Sequence, residues 1–304
     1  MQKDMIHRHI KISIFMRRVN KIEVLKQKQQ QVVLLLFLGL FFALPFNDIN
    51  AQVKGWEKRY GDEVVGLDDG HTVIQTADQG FALLGTDNQE KILLVKTDPN
   101  GYVQWSETFN ESLIAFTGAD MVQDDDGTYV VVGSCFGCAE DGGGGEDIVV
   151  LRIDENGNKI DQGAFGFGAE DKASAIIKTQ DCGFMITGYS ILGVGNKQIS
   201  FVKLDANLDL EFEKLYGGED NEEGVDIIEN DLGEFVAVGV LEESGDEDVY
   251  IFSINVAGDS IWHQSFGNSL FNKANSITFD KDINGNNIGS VSYTHLTLPT
   301  ICSV

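Results

Sequence analysis

One motif recurs along most of this chain at a nearly constant interval, and that repetition limits the fold more than any other feature. Trp56-Glu-Lys-Arg-Tyr60-Gly61 returns as Trp105-Ser-Glu-Thr-Phe109-Asn110, Asp161-Gln-Gly-Ala-Phe165-Gly166, Phe212-Glu-Lys-Leu-Tyr216-Gly217 and Trp262-His-Gln-Ser-Phe266-Gly267. A second landmark keeps step: Asp78-Gln-Gly80, Asp125-Asp-Gly127, Asp181-Cys-Gly183 and Asp231-Leu-Gly233 each open an apolar run that reaches Gly85, Gly133, Gly188 or Gly239. A third is Lys96-Thr-Asp98, Arg152-Ile-Asp154 and Lys203-Leu-Asp205, weakened to Ser253-Ile-Asn255 in the fourth unit. Three landmarks in constant order, about 50 residues apart, indicate one supersecondary unit stacked on copies of itself.

Within a unit the apolar runs are of strand length and bounded by turn residues. In the third, Ser174–Lys178, Phe184–Thr187, Ile199–Lys203 and Leu210–Tyr216 read as strands a to d. Four short antiparallel strands per repeat make a blade, so the expected fold is all-β, a β-propeller with four blades and part of a fifth. The Asp-x-Gly of each a–b connection predicts a turn in which the carboxylate accepts backbone N–H groups and glycine takes positive φ. Asp98-Pro-Asn-Gly101 and Asp154-Glu-Asn-Gly157 predict type I′ hairpins between c and d. Residues four apart on a strand share a face, so Trp105 with Phe109, and Trp56 with Tyr60, form a stripe suited to inter-blade packing. Asp161, in place of the aromatic, predicts looser packing at that edge, as does Asn110 in place of glycine.

The repeat resembles that of secreted bacterial surface proteins of β-propeller type, many of which end in a type IX secretion sorting domain. The resemblance spans about residues 55–290 and implies fold and export rather than an activity. Thr76-Ala-Asp78-Gln-Gly80 also resembles the start of a sialidase Asp box, without the Thr-Trp that would follow.

Both ends of the chain differ from the repeats. Val32–Phe46 is a 15-residue apolar run preceded by Arg17, Arg18, Lys21, Lys26 and Lys28. A membrane-spanning helix needs about 20 such residues, so residues 1–51 are expected to be a signal peptide, translated from Met16 and cleaved after Ala51. The mature chain is then secreted or held at the cell surface, without stable membrane insertion. The repeats occupy 52–290. Residues 291–304 carry no charged side chain besides His295 and resemble a translated adapter, a foreign tail that includes Cys302.

The net charge of −26 conceals a sharper imbalance. Residues 1–51 hold eight Lys/Arg against three Asp/Glu, which leaves the remainder with 14 basic and 45 acidic side chains, a net of −31. Such a surface cannot displace the counterions of a nucleic-acid backbone, so nucleic acid is excluded as a partner.

Function is expected on the b–c and d–a loops, because the b–c loops vary while the Asp-containing turns are regular. Glu140, Asp141, Glu146 and Asp147 on one loop, and Glu242, Glu243, Asp246, Glu247 and Asp248 on another, are oxygen donors of the type Ca²⁺ takes. Asp280, Asp282 and Asn284, with Gly285, match the first half of a Ca²⁺ loop, although an enlarged hairpin explains them as well. A solvated acidic face is the plainer reading of all these runs. No cofactor is required, and no catalytic residues emerge.

Cys135-Phe-Gly-Cys138 admits a redox pair, half a zinc site or a local disulfide. Cys182 lies in an a–b turn about 20 Å from the b–c face, too far to pair with Cys135. Two functions fit: a non-catalytic exported propeller that binds a glycan or protein partner or serves as a scaffold, or a propeller-based carbohydrate hydrolase or lyase with carboxylates around its channel.

Overall fold

The computed structural model describes Glu57 and residues 69–110, 115–139, 145–193, 195–267, 272–281 and 287–294, with side chains described as far as Thr278. The chain divides into two compact units, Met1–Gly55 and Trp56–Val304, and every described strand lies in the second.

The second unit is all-β. The first blade comprises β1 (Asp69–Gln75), β2 (Phe81–Thr86), β3 (Ile92–Thr97) and β4 (Val103–Phe109). The second comprises β5 (Phe116–Gln123), β6 (Tyr129–Phe136), β7 (Glu146–Ile153) and β8 (Lys159–Phe165). β9 (Glu170–Lys178), β10 (Phe184–Ile191), β11 (Lys197–Leu204) and β12 (Leu210–Tyr216) form the third, and β13 (Asn221–Glu229), β14 (Phe235–Glu243), β15 (Asp246–Ile254) and β16 (Ser260–Phe266) the fourth. β17 (Ala274–Lys281) and β18 (Asn287–Thr294) are a further antiparallel pair. Each four-stranded sheet is an antiparallel meander in sequence order. The first strands pack against one another from sheet to sheet, β1 on β5, β5 on β9, β9 on β13 and β13 on β17, so the sheets are propeller blades with strand a innermost.

The core is the series of blade interfaces. Leu84, Leu94, Phe116, Tyr129 and Leu151 fill the first, Val132, Val150, Phe184 and Val202 the second, and Phe201, Phe235 and Phe252 the third. Each first strand bulges at one place, skipping His71, Ala119, Ser174, Val225 or Asn275. The glycine of strand b faces that bulge: a β-carbon on Gly133 would run into the Thr117 carbonyl. Gly133, Gly188 and Gly239 are therefore mid-strand rather than terminal, and the b strands beyond the first blade extend past the expected ends.

Turn chemistry departs from expectation in two ways. The a–b turns align on Thr76, Asp124, Thr179 and Asn230, each of whose carbonyls accepts the N–H three residues on. Positive φ falls on Gln79, Gly127, Cys182 and Gly233, so only the second and fourth turns use glycine there, and the Asp-x-Gly triplets are out of register by one residue between alternate blades. In the first turn, Gly80 instead makes room for the Lys96 ammonium. Lys96, nearly fully buried, donates to Asp78 at 2.7 Å and to the Thr97 carbonyl at 2.9 Å. Lys203 repeats the arrangement with Asp181 and the Leu204 carbonyl.

The c–d turns are not type I′, which needs two residues at positive φ. Only Gly101, Gly157, Leu208 and Gly258 have it. Asp98 Oδ1 accepts from Asn100 N and Tyr102 N, both at 2.8 Å, a pair of bonds that favours a type I turn followed by one left-handed residue. Among the described residues, Ser244-Gly245, between b and c of the fourth blade, is the turn with both central residues at positive φ.

Candidate functional site

The b–c connections shrink as the strands lengthen. Val240–Asp248 is not an acidic loop: Leu241 pairs with Asp248, Glu242 with Glu247 and Glu243 with Asp246 across the β14–β15 ladder. Glu247 is neutralised by Lys273 at 2.9 Å. Glu146 begins β7 and pairs with Lys172 at 2.5 Å, and Asp147 is buried in the same strand. Asp280 lies on β17 opposite Gly289, while the side chain of Asp280, together with Glu140, Asp141, Asp282 and Asn284, lies outside the described residues. Among the described residues no three His, Cys, Asp or Glu side chains come together to hold a metal ion.

The structure does gather polar and aromatic groups where the second and third blades meet at this end. Asp147 Oδ2 accepts from Ala139 N at 2.9 Å. Asp171 Oδ2 accepts from Phe167 N at 2.9 Å and Gly168 N at 3.0 Å. Each acid therefore holds one connection, b–c in the first case and d–a in the second, and each keeps a buried Oδ1 with no partner among the described residues. Burial raises the pKa of Asp147, and the charge of Asp171 adds to that. Cys135 and Cys138 are joined in a disulfide with Cα atoms 5.9 Å apart, the local bridge among the readings open to that pair, and Cys182 is a free, exposed thiol.

Between the two tethered connections lies an open cleft of about 490 Å³. Cys138 and Ala139 line it together with β8 from Gln162 to Phe165, Phe167 beyond that strand, and Leu210 at the start of β12. The lining therefore offers ring surface, one side-chain amide and backbone groups to a ligand. Asp171 escaped sequence reasoning, yet the signal was present: it occupies the place in β9 that Glu222 occupies in β13, where Glu222 Oε1 accepts from Gly218 N at 3.1 Å.

A second set of acids lies on the first strands, just past the bulges. Asp120 Oδ2 accepts from Ile176 N of the third blade at 3.1 Å. Asp226 Oδ2 accepts from Ser276 Oγ and Ile277 N of β17, both at 2.8 Å. Burial pushes the Asp120 carboxyl up to about 6, its hydrogen bonds oppose this, and Asp226 raises it slightly further. Glu213, half-buried on β12, is pushed up to about 7 by burial and by Asp171. Asp120 and Asp226 tie one blade to the next through backbone N–H groups, so they act first as staples.

No protein-family profile matches the chain, and no curated protein does. Solved structures with a resemblance include a Bacteroides caccae protein of unknown function, at 12% identity and TM-score 0.44, covering 77% of this chain and 84% of that one. A Clostridium thermocellum α-L-arabinofuranosidase shares 12% identity at TM-score 0.42 over 66% of this chain and 74% of its own. An ulvan lyase shares 11% at TM-score 0.44 over 69% of this chain and 58% of its own. Identities this low carry no activity across.

Proposed function

We propose that the protein is an exported, non-catalytic β-propeller of a bacterial surface, binding a glycan or protein partner through its b–c and d–a face. The cleft between Cys138 and Phe167 carries this reading, because a disulfide and two buried carboxylates hold its walls where the connections vary most. The apolar leader and the resemblance of the repeat support export, by a type IX route, to the cell surface or medium. The acidity of the body argues against nucleic acid as the partner.

Purified protein beginning at Gln52 would be passed over immobilised bacterial and algal polysaccharides and over surface-protein extracts. Retention that is lost in Phe167→Ser, with unchanged melting, supports the cleft as the binding site. Asp120 favours the alternative, a carbohydrate hydrolase or lyase, since its raised pKa suits acid–base work. Release of reducing ends or unsaturated sugars that disappears in Asp120→Asn would replace the binding reading with that one.

A further inference from the structure

The first three blade interfaces serve as internal controls for one another, and at one position they differ by a single atom. The residue that begins strand b is Tyr129 in the second blade, Phe184 in the third and Phe235 in the fourth. All three rings are buried, with exposures of 1%, 0% and 2%. A phenyl ring therefore suffices for packing here, and the hydroxyl of Tyr129 is surplus to the core. A tyrosine has an apolar ring and one polar end, and the polar end seeks a hydrogen-bond partner. That of Tyr129 makes no hydrogen bond among the described residues.

Tyr129 lines a pocket of about 440 Å³ between the first two blades, at the end that carries the a–b and c–d turns. This is the opposite end from the cleft described above. Asp78, Lys96, Gln104, Trp105 and Glu155 line it as well. The Trp105 ring meets the Tyr129 ring edge-on at 6.0 Å, and its Nε1 donates to the Glu155 carbonyl at 2.9 Å. Burial, followed by the charges of Asp78 and Glu155, pushes the phenol up to about 12, so at neutral pH it keeps its proton for donation. In the next interface the corresponding carbonyl, that of Ala206, is taken by Arg152 Nη2, whose guanidinium lies 5.6 Å from the Phe184 ring centroid. In that interface, where Phe184 stands in place of a tyrosine, a protein side chain occupies this end.

The charges in the pocket narrow what can enter it. Lys96 is committed to Asp78, the Thr97 carbonyl and Gln104 Oε1 at 2.7–2.9 Å, and so offers no cation to an anionic ligand. Asp78 is held well below the usual carboxylate range, to about 2, chiefly by Lys96 and Thr76, and stays ionised at any neutral pH. Acceptors and negative charge face the space, beside one free hydroxyl and an indole. A ligand rich in hydroxyl donors, uncharged, with an apolar ring surface, complements that lining.

We propose that the pocket between the first and second blades binds an uncharged polyhydroxylated ring, the chemistry of a neutral sugar unit, with the Tyr129 hydroxyl and the Glu155 carboxylate as polar anchors and Trp105 as apolar wall. This site goes beyond the cleft reading and does not depend on it.

Saturation-transfer NMR on protein beginning at Gln52 tests the proposal, with glucose, galactose, mannose, xylose, fucose and rhamnose each at about 10 mM, a concentration suited to weak single-ring ligands. Transfer to at least one sugar is expected, weakened roughly three- to tenfold in Tyr129→Phe, the loss of one hydrogen bond. Because the other blades already use phenylalanine there, that variant should melt as the parent does. Glu155→Gln should weaken the same sugar, Phe167→Ser should leave it unaffected, and glucuronate should show less transfer than glucose. No transfer to any neutral sugar, transfer indifferent to both Tyr129→Phe and Glu155→Gln, or a preference for glucuronate would overturn the proposal.

Discussion

The Trp105 indole lies against the bare Cα of Gly157 in the next blade, so closely that a β-carbon there would come within 3.0 Å of Cε3. Phe212 and Gly258 repeat the relationship one interface removed, at 2.8 Å from Cε2. Between those two interfaces the sizes are exchanged: Asp161 stands where the aromatic would be, and Leu208 replaces the glycine, buried at 6% exposure and left-handed at φ 67°. Leu208 packs with Phe184 and Leu204, so the third blade supplies the bulk that Asp161 does not.

Gly157→Ala should therefore cost roughly 2 kcal/mol, from the clash with Trp105 together with a side chain at φ 88°. Leu208→Gly should cost about as much, by emptying a core position. Urea unfolding of the two variants measures both, and an unchanged midpoint for Gly157→Ala would contradict the contact.

The raised pKa of Asp120 predicts how stability varies with pH. Its unfolded value is near 3.8 and its folded value about 6, so between those limits the folded chain binds the proton more tightly. The contribution of this group accordingly falls as pH rises from about 4 to 6 and then levels off, a loss of about 3 kcal/mol at most. Asp120→Asn, which keeps an acceptor for Ile176 N, should gain on the parent in melting temperature from pH 4 to 7. A constant difference across that range would show that Asp120 does not titrate as described.

Asp78 carries the opposite sign. Its folded pKa, lowered to about 2, adds stability that is present above 3.8 and lost as pH falls through 2. At neutral pH Asp78→Ala leaves the buried Lys96 ammonium without its carboxylate and should cost about 2 kcal/mol. Unfolding at pH 7 and near pH 2 should show the penalty at the first and little of it at the second.

Thiol labelling separates the cysteines. Protein beginning at Gln52 and carrying Cys302→Ser should take one maleimide on Cys182 under native, non-reducing conditions, with Cys135 and Cys138 reacting only after reduction. Peptide mapping that found label on Cys138 without reductant would contradict the disulfide.

Much of the fold could be read in advance because each repeat spells out its own local structure. Asp98-Pro-Asn-Gly101 forms a turn wherever it is placed, since the Asp98 carboxylate needs only backbone N–H groups within four residues. That Cys182 does not pair with Cys135 followed from strand length alone. Local sequence also misled: Asp-x-Gly looks alike in all four a–b turns, yet Gly80 serves Lys96 from strand c while Gly127 serves its own φ, and that distinction depends on a residue 16 positions away. The acidic run at Val240–Asp248 read as a loop because charge suggests solvent, whereas the ladder between β14 and β15 extends through it.

By itself, then, the sequence determined the repeat, the strand order and the turn of Trp105 and Phe109 toward a neighbouring blade, because periodicity and turn chemistry are written within about 50 residues. Trp56 and Tyr60 lie outside the described residues. Tertiary structure decided what each repeat does with its differences. Whether Asp161 leaves a gap, whether Asp147 and Asp171 tether the two sides of one cleft, and whether the hydroxyl of Tyr129 finds a partner all depend on atoms supplied by another blade. A contact across an interface has no period in the chain, so only the packed blades reveal it.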